Sequence, residues 1–159
     1  MTLIAFDAPV WRLLPEQIAT TPTAATNAPE GRFHHSGQIA AYASLTAEGA
    51  AVAIARYVDD KLTRILVPMW LKANAVADVR GDAAASVVWQ DQRAAGATPS
   101  TWAFSDGARR SGAQALLYSS RTRPELTHVV VFDLACLLVG GQIPQTAAGG
   151  AHRSGGVTA

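Results

Sequence analysis

The sequence predicts an α+β domain with strands and helices intermixed around one core. Three observations carry this. "PVWRLL", "KLTRILVPMWLKA", "AQALLYSS" and "THVVVFDL" are short apolar or alternating runs of strand length. Residues 47–58 place Ala47, Ala50, Ala51, Ile54 and Val58 at helical spacing on one face. The segments do not follow the regular βαβ spacing of a doubly wound sheet.

At 159 residues, with 49% hydrophobic and 16% charged side chains, the chain has the size and composition of one globular domain. A formal net charge of +1 gives no broad attraction to nucleic acid or to an anionic membrane. Arg109–Arg110, the adjacent basic pair, reads as a solvated surface feature, and no basic helix reads DNA. Cys136 is the one cysteine, so an intrachain disulfide and a thiolate zinc set are excluded; it is expected to pack as a small apolar side chain. The start, "MTLIAFDAPVWRLL", lacks a charged region before an apolar core, and the apolar run 134–141 is too short to span a bilayer. A cytoplasmic protein without a membrane segment is the expectation.

In chain order, "PVWRLL" is a first strand, and "PEQIATTPTAATNAPE" a loop. Residues 31–44 are expected to form a hairpin around Ser36-Gly37. The helix over 47–58 starts at Thr46 as N-cap, with Glu48 in its first turn. "KLTRILVPMWLKA" is a strand interrupted or edge-placed at Pro68, and "AVADVRGD" another short strand. Residues 83–96 fit a helix, although "SVVW" also fits a strand. "PSTWAFSDGARRSG" is a helix closed by Gly112, and two strands follow. The domain is expected over 1–140, with 141–159, rich in Gly and small polar residues, as a flexible tail.

The hairpin carries the chemistry. The expected closure is a three-residue loop, His35-Ser36-Gly37, which pairs Arg32 with Ala40 and makes Tyr42 its diagonal neighbour on the same face; a two-residue loop would separate them. An arginine beside a tyrosine suits a dinucleotide, because the guanidinium meets phosphate oxygens bidentately and the phenol offers a flat face to a heteroaromatic ring. A salt bridge for Arg32 and a core position for Tyr42 are the structural alternatives. His34 and His35 lack acidic or cysteine partners at metal spacing, so no metal site is expected.

Taken together and in order, "VWRLL", "GRFHHSG" leading into "AAYASLTAEGAAVA", and "SGAQALLYSSRTRPELTHVVVF" resemble the RES domain, a family of bacterial toxins, over roughly residues 9–135. The resemblance puts the family's arginine at Arg32, its strand tyrosine at Tyr42 and its serine at Ser120, with Ser119 where proline is common. It implies a fold similar to ADP-ribosyltransferases, with a split, mostly antiparallel central sheet flanked by helices. It also implies NAD⁺ as substrate, bound by Arg32, His34, Tyr42, Tyr57 and Ser120, and cleavage of the nicotinamide–ribose bond. ADP-ribose would then pass to a host protein, such as phosphoribosyl pyrophosphate synthetase, or to water or phosphate. The implied partner is an Xre-like antitoxin covering the active-site mouth.

The sequence departs from the family where a glutamate is expected, at Ala53; one turn later Tyr57 stands where histidine is frequent. Three explanations are open. The alanine disarms a toxin that would poison its expression host, another acid serves (Glu48 is nearest, but points elsewhere on the helix), or activity has been lost naturally. The first is favoured; a binding module without chemistry, which Ala53 supports, is the competing function.

Overall fold

The computed structural model describes residues 1–55 and 60–140. Tyr57, the end of the helix expected to reach residue 58, and the expected tail 141–159 lie outside the described residues. The elements are β1 (Leu3–Pro15), α1 (Glu16–Ala19), β2 (Ala41–Ser44), α2 (Ala47–Ile54), β3 (Arg64–Asp78), α3 (Trp89–Ala94), α4 (Ser100–Arg110), β4 (Ala115–Ser119), β5 (Thr127–Val131) and β6 (Leu137–Leu138). Short 3₁₀ turns occupy Ala83–Ser86 and Leu134–Cys136.

The long strands β1 and β3 run antiparallel from Leu3↔Ala77 to Pro15↔Arg64, with one irregularity between Ile4 and Phe6. β1 touches β2 at Trp11↔Ser44, β2 pairs with β5, β5 with β4, and β4 runs parallel to β3. The pairings β1-β2-β5-β4-β3 therefore return to β1, and the sheet closes into a five-stranded barrel with β6 added at Trp70 and Leu71. This corrects the expected split sheet. The reason is the length of β3: its first part pairs with β1 alone while its last residues, Val76–Asp78, also reach β4, so one strand joins what would be two edges. The sheet remains mostly antiparallel, and Pro68 sits where only β1 pairs with β3, as an edge position requires.

The "AVADVRGD" strand is the continuation of β3 rather than a new element. Residues 83–96 form a 3₁₀ turn and α3, and "SVVW" is not a strand. Thr46 caps α2 as expected, its Oγ1 accepting from the Gly49 amide at 2.9 Å. Helix α4 begins after Pro99 without a side-chain cap and ends before Gly112 at φ +83°.

Alternation along β4 and β5 builds two cores. Ala115, Leu117, Val129 and Val131 face the barrel interior with Val10, Met69, Leu71 and Val76, and Cys136 packs among them. Leu116, Tyr118 and Val130 face outward against Phe33, Ala40 and Ala108, so α4 and residues 31–40 cover that side. Each fully buried Val, Leu or Phe side chain contributes about 1.5–3 kcal/mol, and β4 and β5 contribute on both faces.

Candidate functional site

Residues 31–44 do not form the expected hairpin. Gly31 and His34 make one isolated bridge, and Ser36 (φ 52°) and Gly37 (φ 75°) form a two-residue turn closed by the Gln38 amide donating to the His35 carbonyl at 2.9 Å. β2 begins only at Ala41 and gives its pairing to β5. The backbone carbonyls that a ladder would use are taken by α4: Trp102 Nε1 donates to Gly31 (2.8 Å), and Arg109 donates to Phe33 and Ile39 (3.0 Å each). The expected three-residue loop is thus overturned, because tertiary hydrogen bonds replace the local ladder.

Arg32 and Tyr42 nevertheless line the same cleft, and Tyr42 bonds the two residues that follow Arg32. The Phe33 amide donates to the Tyr42 hydroxyl at 3.0 Å, and that hydroxyl is 2.7 Å from His34 Nδ1. His34 Nε2 faces the Ala28 carbonyl at 2.8 Å, so Nε2 carries the hydrogen. Burial lowers the His34 pKa, the ring is neutral, and Nδ1 therefore accepts from the phenol. Burial likewise pushes the Tyr42 phenol well above its ordinary value, and it stays protonated to donate.

The Arg32 guanidinium lies 4.7 Å from the Tyr118 ring centroid and donates from Nη2 to the Ala85 carbonyl. Its Nε is buried without a hydrogen-bond partner, and among the described residues no carboxylate pairs with it. Burial lowers its pKa, and the nearby Arg121 charge lowers it further. The salt-bridge alternative for Arg32 is therefore not what the structure shows.

Arg32, His34, Tyr42, Ala53 and Ser120 all line one cleft of about 710 Å³. Ser120 follows β4, is almost fully buried, and its Oγ accepts from the Arg123 amide at 3.3 Å, so it also closes the turn after the strand. Ala53 is exposed on the cleft side of α2. His35 stands apart: it stacks on Trp102 at 4.4 Å and bonds Asp106 at 3.0 Å.

Arg12, Ser44, Tyr118 and His128 are cleft residues that escaped the sequence reading. Arg12 is 5% exposed and donates from Nε to the Tyr42 carbonyl (2.9 Å) and from Nη1 to Pro22 (2.6 Å) and Ala24 (3.0 Å). Burial lowers its pKa to about 10, so it remains charged. The signal was present: on β1 it alternates with Val10 and Leu14 on the inward face, where an arginine must have a reason. His128 Nδ1 is 2.7 Å from Ser44 Oγ, its ring 5.4 Å from Tyr118. Burial first, then the Arg32 charge, lowers the His128 pKa to about 4. Burial raises the Tyr118 phenol to about 12. Tyr118, Ser44 and His128 sit inside apolar strand runs, and only strand order brings them to one wall.

Charge follows. Among the described lining residues are Arg12, Arg32, Arg121 and Arg123, against one carboxylate, Glu30, which Arg93 already holds at 3.0 and 2.9 Å. Such a cleft favours an anionic ligand with aromatic parts. Among the described residues no group of three or more His, Cys, Asp or Glu could hold a metal ion, and no helix is long and apolar enough to cross a membrane.

No curated protein matches the sequence. Among solved structures, a chain in the crystal structure of the M. tuberculosis MbcT–MbcA toxin–antitoxin complex superposes with a TM-score of 0.60 at 14% identity, covering 86% of this chain and 82% of that one. At that identity the likeness is one of fold. The model of the RES domain matches residues 9–148, nearly the whole described chain, and the protein belongs to the RES domain family.

Proposed function

We propose that this RES-domain protein is the toxin of a type II toxin–antitoxin pair whose site binds NAD⁺ and is built to cleave its nicotinamide–ribose bond. The observation that carries the reading is the convergence of Arg32, Tyr42, Ala53 and Ser120, from separate segments, on one arginine-rich cleft. The kinship to ADP-ribosyltransferases in fold belongs to this reading. So does an Xre-like antitoxin covering the cleft mouth, in keeping with the toxin–antitoxin complex in which the structural neighbour was crystallised.

In this reading Arg32, already oriented by the Tyr118 ring, binds the pyrophosphate or orients the nicotinamide ribose. Tyr42, fixed by His34 and the Phe33 amide, holds the nicotinamide ring, and Ser120 positions ribose or the carboxamide. The family resemblance adds Tyr57 to the residues proposed to bind NAD⁺. As nicotinamide leaves, the ribose gains positive charge and needs a carboxylate near C1′. The cleft offers none at position 53. Glu48 is exposed and pairs with Arg123 at 3.0 Å, and Glu30 is held by Arg93, so neither is free for the ribose. The chain therefore binds NAD⁺ and turns it over poorly. ADP-ribose passes to a host protein, with phosphoribosyl pyrophosphate synthetase as the named candidate; transfer to water or phosphate is the alternative for the same site.

The second reading is a catalytically inert module that holds NAD⁺ or the antitoxin, and Ala53 favours it. One experiment separates the two: NAD⁺ is titrated into this protein and into Ala53→Glu while nicotinamide release is followed. Binding by both, with release at least about a hundredfold faster from Ala53→Glu, supports the toxin. Binding by both without faster release leaves the inert module, and binding by neither overturns the NAD⁺ site.

A further inference from the structure

We infer that residues 31–39 form a strap seated on α4, and that Asp106 is the positioning residue through which this helix sets Arg32 and His34 against the cleft. Trp102, Asp106 and Arg109 stand four and three residues apart, on one face of α4, and all three grip the strap. Trp102 holds its start at the Gly31 carbonyl, and Arg109 holds its middle and end at the Phe33 and Ile39 carbonyls.

Asp106 holds the turn between them. Its Oδ1 accepts from Gln38 Nε2 at 2.9 Å, and its two oxygens lie 3.1 and 3.0 Å from His35 Nε2. Gln38, fixed in this way, accepts the His35 amide on Oε1 at 3.0 Å. One carboxylate thus organises both residues flanking the left-handed Ser36-Gly37 pair. Burial alone would raise the Asp106 carboxyl, yet the hydrogen bonds from Gln38 and His35 outweigh it and hold the group below the usual carboxylate range. With two side-chain donors on its oxygens, the ionised form is the favoured one.

The strap has little of its own to keep this shape. Its internal backbone bonds are Gly31 to His34 and Gln38 to His35, with no ladder to either side. Arg32 adds one bond outward, to the Ala85 carbonyl. From the cleft side, Tyr42 and the Ala28 carbonyl hold His34 and the Phe33 amide; the seat on α4, 68 to 76 residues away along the chain, holds the strap from the other side. Asp106 does not line the cleft, so it acts through the strap and not on a ligand.

The test uses the full chain in four forms: wild type, Asp106→Ala, Asp106→Asn and Arg110→Ala, the last an exposed α4 residue that makes no strap contact. Hydrogen–deuterium exchange reads the amides of 33–38, and NAD⁺ titration reads the cleft; the second arm rests on the NAD⁺ reading, the first does not. In Asp106→Ala, exchange over 33–38 is expected to speed at least tenfold while β3 and β5 keep their protection, and NAD⁺ affinity to fall at least fivefold. Asp106→Asn, which keeps an oxygen for Gln38, is expected to recover part of both, and Arg110→Ala to match wild type. Unchanged exchange over 33–38 in Asp106→Ala overturns the strap. A loosened strap with unchanged NAD⁺ affinity overturns the positioning role. If Asp106→Ala loses protection throughout, Asp106→Asn decides on the same two readings. If wild type fails to bind NAD⁺, the NAD⁺ reading falls and the exchange arm decides the strap alone.

Discussion

The Tyr42 hydroxyl lies 2.7 Å from His34 Nδ1 and joins a strand residue to the loop that carries Arg32. Because His34 Nε2 donates to the Ala28 carbonyl, the phenol must donate to Nδ1, and its oxygen is left to accept the Phe33 amide. Tyr42→Phe removes both partners at once and leaves a buried amide and a buried imidazole nitrogen unsatisfied. The expected cost is about 1–3 kcal/mol of stability, read by urea unfolding, with a loss of NAD⁺ affinity in parallel. Unchanged stability and affinity would show that the bridge is incidental.

Gly31 is required by proximity and not by backbone angle. A Cβ there would lie 2.3 Å from His34 Cε1, 2.6 Å from His34 Nδ1 and 2.8 Å from the Tyr42 hydroxyl. Gly31→Ala should therefore push the imidazole off its phenol and lower NAD⁺ affinity by about tenfold or more, on the scale of one lost buried hydrogen bond. Gly81→Ala is the comparison: nothing lies within 4 Å of its added Cβ, but its φ of +81° makes it pay a backbone cost only. It should lower the melting temperature without changing affinity.

His128 predicts an acid-sensitive fold. Its pKa is about 4 in the folded state, against an ordinary histidine value of 6.5. Between these values the unfolded chain binds more protons than the folded one, so stability rises with pH through this window and is lost as pH falls from 6.5 toward 4. The shift corresponds to about 2 kcal/mol by pH 5. Melting temperatures of wild type should fall between pH 7 and 5, and His128→Asn should flatten that fall. A parallel fall in both proteins would place the acid sensitivity elsewhere, with His34, also lowered by burial, as the next group to vary.

The local elements were legible where one segment decides its own state. Thr46 before an alanine-rich run caps a helix whatever surrounds it, and "THVVVF" is strand by β-branched content and period. The proposed site residues Arg32, Tyr42 and Ser120 were reachable through resemblance, and all three line one cleft with Ala53. The route between Arg32 and Tyr42 was not legible. A Ser-Gly turn flanked by polar residues reads as a hairpin, and only α4, far along the chain, shows that its carbonyls are already engaged.

The sequence alone determined the class of fold, the helix and strand cores, and the bare position at Ala53, because periodicity, capping and side-chain identity are local properties. Only the tertiary structure decided the rest: that β3 joins β1 to β4 and closes the barrel, that Arg12 and His128 point into the same cleft as Arg32, and that α4 shapes the loop beside them. These depend on which long-range partner wins each backbone carbonyl and each buried charge. That competition is settled by packing between segments, and no single segment contains both competitors.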